Sequence, residues 1–226
     1  MSSSTSGNGH ETVLEKVRRV LGRAGAPTTT PPTPPALPDN IVRLVRSDAK
    51  LPELFAQRAA ELKMLVTTAP ADGAAPQVAA FVAKYPKVKR VALSVSPLLD
   101  RLKIADALTA AGVEVKRWDE MTLDELYEFD CAVTEVIYAV AETGSLVVKP
   151  SANQGRGLSL VPMYHVAIVE PSQLLPDLVD LFALLAKDPD RSNFVLISGP
   201  SKTADIEMNV VTGVHGPNVV HAFLLT

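Results

Sequence analysis

From about residue 40 onward, short β-branched apolar runs alternate with longer segments whose apolar residues recur at helical spacing. The short runs have the length and composition of buried strands, and the longer segments have the period of amphipathic helices. Strands are predicted at 62–67, 90–95, 113–115, 132–136, 194–197 and 219–225. Alternation of this kind predicts parallel pairing with right-handed crossovers. The chain is therefore expected to be an α/β protein.

The pattern changes in the middle of the chain. The apolar runs 145–148, 157–161 and 166–169 follow one another without helical segments, and turns containing glycine or proline separate them. They predict antiparallel strands, so the sheet is expected to be mixed. The segment 174–187 has helical periodicity again. The last run, 219–225, is apolar on both faces and predicts a central strand.

The N-terminal part has a different composition. Residues 1–23 comprise a Ser- and Gly-rich start, expected to be disordered, and a short segment with an apolar stripe at helical spacing. Residues 24–39 are rich in proline and threonine and predict an extended linker of polyproline type. Residues 40–226 form the predicted α/β domain. The helix would bury its stripe against a partner protein, a second copy of the chain or its own domain, and the sequence leaves all three open.

Charge and cysteine content exclude several classes of function. The net charge of −3 argues against nucleic-acid binding, which requires an excess of Lys and Arg. No apolar run is long enough to cross a bilayer, so a soluble, cytoplasmic protein is expected. Cys131 is the single cysteine and predicts a small buried hydrophobe. No cofactor is assigned to this chain, and no metal ligands are assigned because no His or Cys spacing typical of a metal site is present.

A polar segment, 198–207, follows the predicted strand 194–197. Ligands of open α/β sheets bind outside the carboxyl ends of strands, so this position favours a site. If the segment starts a helix, its free amides favour an anion, which Lys202 reinforces and Asp205 opposes. The alternative is a structural turn in which Thr203 caps the helix. The candidate residues here are Gly199, Ser201, Lys202 and Thr203 for ligand binding and Asp205 for catalysis.

Three other segments contribute candidates. Glu142 precedes Gly144, and its carboxylate suits a general base, a nucleophile or an acceptor for turn amides. Gly144 would let the backbone approach a ligand or a neighbouring chain. Arg156, in a Gly-containing loop, suits a carboxylate or phosphate. His215 suits acid–base chemistry, with the capping of a loop carbonyl as the alternative.

Four of these stretches resemble the LUD domain family, in particular its lactate-utilisation protein C branch. They are AETGS at 141–145, LVPMYH at 160–165, GPSKTADIE at 199–207 and GVHGP at 213–217. The resemblance implies a three-layer α/β/α sandwich with a mostly parallel mixed sheet, similar to sugar-phosphate isomerases and CoA transferases. It also implies a role in oxidising L-lactate to pyruvate beside partner subunits that carry iron–sulfur clusters.

These observations lead to three hypotheses for function. In the first, the chain is a component of a cytoplasmic L-lactate utilisation system and binds substrate or an effector in one shared pocket. In the second, it is a stand-alone acyl or CoA transferase, or a sugar-phosphate isomerase-like enzyme, with Glu142 as its essential carboxylate. In the third, it is a non-catalytic assembly subunit that docks through the N-terminal helix. The shared pocket is expected to contain Glu142, Arg156, Ser201, Lys202, Thr203, Asp205 and His215.

Overall fold

A computed structural model describes residues 12–22, 43–45, 48–189, 193–204, 210–213 and 215–226. The chain divides into two units, Met1–Pro38 and Asp39–Thr226. In the first unit the described element is helix α1 (Val13–Val20), which begins after Thr12 with a capping box to Glu15 and has no buried residue. The predicted linker, 24–39, lies outside the described residues. Within the described part of the chain, no helix has the length and apolar character needed to cross a membrane.

The second unit is built on a six-stranded sheet. Its strands are β1 (Leu65–Ala69), β2 (Arg90–Leu93), β3 (Glu114–Arg117), β4 (Cys131–Glu135), β7 (Tyr164–Val169) and β12 (Val219–Leu225). They lie in the order β1-β12-β7-β4-β2-β3, and each neighbouring pair is parallel. The closing strand β12 pairs on both sides, as its apolar residues predict.

A smaller sheet accounts for the antiparallel pairing. It contains β5 (Tyr138–Val140), β6 (Ser145–Val148), β8 (Leu174–Leu175) and β9 (Val195–Ile197), in the order β8-β5-β6-β9. Strand β6 is antiparallel to β5 and β9, whereas β5 is parallel to β8. The predicted antiparallel character of 145–148 is therefore correct. That of 166–169 is wrong, because these residues belong to β7 in the parallel sheet.

Helices cover both faces of the six-stranded sheet. They are α2 (Leu51–Glu61), α3 (Ala71–Ala83), α4 (Pro97–Arg101), α5 (Ile104–Ala110), α6 (Leu123–Leu126) and α7 (Leu178–Leu185). Helices α3, α4 and α5 pack on one face, where β7 presents Val166 and Ile168. The opposite face is covered by α2, the smaller sheet and α6. Helix α7 packs on the outer face of the smaller sheet. The α/β class with a mostly parallel central sheet is confirmed.

Three predicted elements differ from the structure. The predicted strand 157–161 begins instead with a 3₁₀ turn, Arg156–Ser159. The predicted helix in 198–207 is replaced by β10 (Lys202–Ala204), which pairs antiparallel with β11 (Val210–Thr212). Thr203 therefore lies in a strand and caps no helix. The predicted helix 174–187 is shorter, because Leu174 and Leu175 join the smaller sheet and α7 begins after its N-cap, Asp177.

Candidate functional site

Three of the four resemblance segments, far apart in sequence, meet in the folded chain. Ser145 Oγ, at the start of β6, lies 2.6 Å from the Oγ of Ser198, the residue directly before the segment 199–207. The backbone amide of Ser201 donates to the carbonyl of Pro217 at 2.9 Å, and the amide of Gly213 donates to the carbonyl of Ser201 at 2.8 Å. The segments 141–145, 198–204 and 213–217 therefore form one cluster, which we call the motif cluster.

The motif cluster lies at the amino-terminal edge of the six-stranded sheet. Lys202 Nζ donates to the carbonyl of Leu62 at 3.1 Å, and Leu62 precedes the start of β1 at Leu65. The amide of Asn218, directly before β12, donates to the carbonyl of Met163, directly before β7, at 2.8 Å. The sequence-based argument placed this segment at the carboxyl end of a sheet strand. The strand it follows, β9, belongs to the smaller sheet, so that placement is wrong for the central sheet.

The two candidate glycines of the motif cluster face helix α2. Gly144 has φ +59°, and a Cβ there would lie 2.4 Å from the backbone nitrogen of Ala59. Gly199 has φ +92°, and a Cβ there would lie 2.5 Å from the carbonyl oxygen of Leu62. Contacts this short are incompatible with any side chain. The space beside each glycine is thus occupied by the backbone at the end of α2, so the close approach is to the protein itself.

Glu142 lies beside the N-terminus of α7. Its amide donates to the carbonyl of Pro176 at 2.9 Å, and its carboxylate accepts from the amide of Leu178 at 3.5 Å. A carboxylate near the first amides of a helix is favourable because those amides have no partner within the helix. The structure therefore gives Glu142 the contacts of a turn carboxylate. The hydroxyl of its neighbour Thr143 is buried and has no hydrogen-bond partner among the described residues.

The remaining candidates are not all in the motif cluster. His215 and Lys202 are exposed, Ser201 and Thr203 are half-buried, and Asp205 lies outside the described residues. Arg156 lies elsewhere, because its Nη1 donates to Asn193 Oδ1 at 3.1 Å. The structure therefore does not bring Arg156 into the motif cluster. This residue follows a loop, 151–154, that is held at the carboxyl edge of the sheet, where the Val95 amide donates to the Asn153 carbonyl at 2.9 Å.

A crevice of about 510 Å³ opens at this carboxyl edge, next to the ends of β2 and β4. We call it the carboxyl-edge crevice. It contains no residue of the motif cluster and was not identified from the sequence. The available signal was that Ser96 directly follows the predicted strand 90–95 and that Glu135 is a charged residue within the last two positions of the predicted strand 132–136. The polar residues that line it are Ser96, Glu135, Lys149, Ser151, Asn153, Gln154, Gln173 and Asp188.

The carboxylate of Glu135 lines this crevice and is held in place by two hydrogen bonds. Ser96 Oγ donates to one of its carboxylate oxygens, and Gln173 Nε2 donates to the other at 3.2 Å. Ser96 is itself the N-cap of α4 and accepts from the amide of Leu98. On another wall, Lys149 Nζ lies 2.7 Å from an oxygen of Asp188. The arrangement lines one cavity with both hydrogen-bond acceptors and donors.

A second cavity, of about 450 Å³, lies beside the carboxyl ends of β1, β7 and β12. Its lining is largely apolar and includes Leu51, Pro52, Val169, Leu174 and Leu224. It too contains no residue of the motif cluster. The second cavity and the carboxyl-edge crevice therefore both lie at the carboxyl edge.

The buried titratable groups of the central sheet are held neutral. His165 is fully buried, with Nε2 2.9 Å from Thr134 Oγ1, and burial lowers its pKa to about 4. His221 pairs with Thr67 at 2.8 Å, and burial lowers its pKa to about 4 as well. Burial raises the pKa of the Cys131 thiol, which confirms it as a buried hydrophobe. Among the residues with described positions, no group of three or more His, Cys, Asp or Glu side chains could hold a metal ion.

The chain is similar in sequence to several known proteins. It is 37% identical over 130 residues to Lactate utilization protein C of Halalkalibacterium halodurans, in an alignment that covers 54% of this chain and 56% of the relative. It is 32% identical over 174 residues to the uncharacterized protein YkgG of Escherichia coli, covering 73% of this chain and 75% of the relative. The chain thus spans about half the length of the first Lactate utilization protein C relatives that it matches.

A solved structure supports the fold. A DUF162 family protein of Deinococcus radiodurans superposes with a TM-score of 0.57 at 21% sequence identity, covering 80% of this chain and 99% of that one. At this identity the likeness concerns the fold alone. The family model described as the LUD domain matches residues 13–225, nearly the whole sequence. The chain therefore belongs to the LUD domain family.

Proposed function

We propose that this chain is a component of an L-lactate utilisation system and that it binds substrate or an effector beside iron–sulfur partner subunits. Its similarity to proteins named Lactate utilization protein C supports the system. The observation that carries the proposal for a site is the convergence of the three resemblance segments, with Ser145 against Ser198. The fold thus gathers residues of these separate segments at the amino-terminal edge of the central sheet, where they can act on one ligand.

The exposed groups of the motif cluster suit an anionic ligand or an acidic partner segment. The ammonium group of Lys202 has three N–H donors, and the described contact to the Leu62 carbonyl uses one of them. His215 adds an exposed imidazole, a side-chain type suited to proton transfer. In this proposal Lys202 and Ser201 bind the ligand, and His215 and Asp205 supply acid–base groups. The single cysteine, Cys131, is buried, so the proposal assigns the iron–sulfur clusters to partner subunits.

The hypothesis of a stand-alone transferase or isomerase needs Glu142 to face a substrate. The described contacts instead set its carboxylate against the amide of Leu178 and its backbone against Pro176. We therefore place this hypothesis second. The assembly-subunit hypothesis depends on α1, whose exposed apolar residues Val13 and Val20 are available to a partner.

The test is genetic complementation in the source organism. Deletion of the gene is expected to stop growth on L-lactate as sole carbon source and to leave growth on pyruvate unchanged. The wild-type gene should restore growth, and Lys202→Met should restore it less well. The matched control is Lys187→Met, an exposed lysine outside the motif cluster, which should complement fully. Unchanged growth of the deletion strain on L-lactate would contradict the proposal.

A further inference from the structure

The carboxyl-edge crevice lies where the direction of the sheet's winding changes. After β2 the chain places β3 on one side of it and then returns to place β4 on the other side. The loops that leave β2 and β4 therefore diverge, and in open α/β sheets such a switch point is where ligands bind. The volume of about 510 Å³ is within the range of small-molecule sites.

The crevice is separate from the motif cluster. It takes Tyr138 and Lys149 from the open end of the β5–β6 hairpin, whereas Gly144 and Ser145 lie at its closed end. The four residues of β6 between them span about 13 Å at roughly 3.3 Å per residue. A ligand in the crevice therefore does not depend on the function proposed for the motif cluster.

Glu135 is held ready to accept hydrogen bonds. Its two oxygens each accept one bond, from Ser96 and Gln173, while a carboxylate has about four acceptor positions. Gln173 is fixed in turn, because its amide nitrogen also donates to the carbonyl of Val136 at 2.7 Å. The carboxylate thus has a fixed orientation and keeps acceptor positions on both oxygens. This arrangement suits two donors on neighbouring atoms of one ligand.

The charges of the crevice disfavour an anion at this point. The charged lining residues are Glu135, Lys149 and Asp188, and Lys149 is paired with Asp188. A phosphate or carboxylate next to Glu135 would meet a like charge, whereas neutral hydroxyl groups would donate to it. The side chains of Asn153 and Gln154 can donate to, and accept from, further hydroxyls, and Val95 and Pro97 offer apolar contact for a ring.

Size favours an occupant larger than the smallest hydroxy acids. L-Lactate has six heavy atoms and would leave most of a crevice of about 510 Å³ empty. We propose that the carboxyl-edge crevice binds a neutral ligand with two adjacent hydroxyl groups, a sugar ring or the ribose of a nucleoside, and that both hydroxyls donate to Glu135. Lactate utilisation through the motif cluster and diol binding here are then separate properties of one chain.

The proposal is tested by titration calorimetry on the purified full chain. The probes are two matched pairs, adenosine with 2′-deoxyadenosine and D-ribose with 2-deoxy-D-ribose. At least one diol probe should bind saturably. The affinity of its deoxy partner should be lower by about tenfold or more, because hydrogen bonds to an ionised carboxylate are stronger than those between neutral groups. Binding of adenosine alone identifies a nucleoside site, and binding of ribose as well identifies a sugar site.

Two variants assign the effect to Glu135. Glu135→Gln should weaken the diol probe by about tenfold and remove the preference over the deoxy partner. The matched control is Glu61→Gln, an exposed glutamate on α2, which should bind like the wild type. The deoxy comparison needs only the unmodified chain, so it decides the proposal even if Glu135→Gln fails to fold. No saturable binding of either diol up to about 10 mM, equal binding of the deoxy partners, or an unaffected Glu135→Gln would overturn it.

Discussion

Single residues of the resemblance segments serve packing as much as chemistry. Gly144 was expected to let the backbone approach a ligand or a neighbouring chain, and the backbone it approaches is that of α2. The hydroxyl of Ser145 likewise bonds to Ser198 of its own chain. Sequence alone cannot distinguish these cases, because a glycine with positive φ has the same appearance whatever lies beside it. The residue types of these segments therefore predicted a special role for them, but they did not distinguish a packing role from ligand binding.

Replacing Gly144 by alanine tests this packing role. The variant must adopt φ +59° and place its Cβ 2.4 Å from the Ala59 nitrogen, so the free energy of unfolding should fall by about 3 kcal/mol. Gly112→Ala is the matched control, since Gly112 has φ +80° with nothing within 4 Å of a Cβ. Its loss should be about 1 kcal/mol, from φ strain alone. Urea unfolding followed by circular dichroism measures both values, and equal losses would contradict the assignment.

Among elements, those with local signals were predicted correctly. A Thr-x-x-Glu pattern predicts a helix start at Thr122, and a Ser-Pro pair predicts another at Ser96. Helices α6 and α4 begin directly after these two residues. These signals succeed because both partners lie within one turn. Proline is typical of the first helical position and on that signal alone would start a helix at Pro76, yet Pro76 lies inside α3, which begins at Ala71. Burial of the apolar face of α3, which includes Val78 and Phe81, offsets the lost hydrogen bond, and burial is not a local property.

The strands that the sequence misses depend on pairing over long distances. Residues 202–204 are a strand because they pair with 210–212, and 174–175 are a strand because they pair with β5. Segments of two or three residues are too short to show the hydrophobic periodicity by which a strand is recognised in a sequence. Strand pairing between short segments is therefore decided by the folded neighbours rather than by local propensity.

The start of α7 gives a prediction for an element. Asp177 is 1% exposed, accepts from the amide of Asp180 at 2.9 Å and pairs with Arg43 Nη1 at 3.0 Å. Asp177→Ala removes a helix cap and a buried ionic partner together, so the free energy of unfolding should fall by about 3 kcal/mol. Asp180→Ala loses a more exposed contact to the same arginine and should cost about 1 kcal/mol or less. Chemical denaturation compares the two variants, and the reverse order would contradict the role of Asp177 as cap.

At the scale of the molecule, the amino-terminal and carboxyl-terminal edges of the six-stranded sheet carry different groups of residues. The amino edge carries the motif cluster, which the sequence singles out by residue type. The carboxyl edge carries the crevice around Glu135, which no motif marks. Its location follows from strand order, and strand order is fixed only when β4 is placed beside β2 rather than β3. The fold class was therefore predictable from alternation, whereas the crevice needed the topology.

The boundary between the two units can be tested by truncation. Helix α1 has no buried residue, so a chain that begins at Asp39 should unfold with a free energy within about 0.5 kcal/mol of the full chain. A chain that begins at Asp48 also loses Arg43, whose Nη1 pairs with the buried carboxylate of Asp177. Leaving that carboxylate without its partner should lower the free energy of unfolding by about 2 kcal/mol or more.

Denaturation of the two truncated chains beside the full chain measures these differences. Because the second truncation removes only nine further residues, the comparison isolates the segment around Arg43 from the N-terminal unit. A large loss already in the chain that begins at Asp39 would show that the first unit stabilises the second. If the loss appears only on removal of Arg43, the stability of the second unit depends on the segment around Arg43.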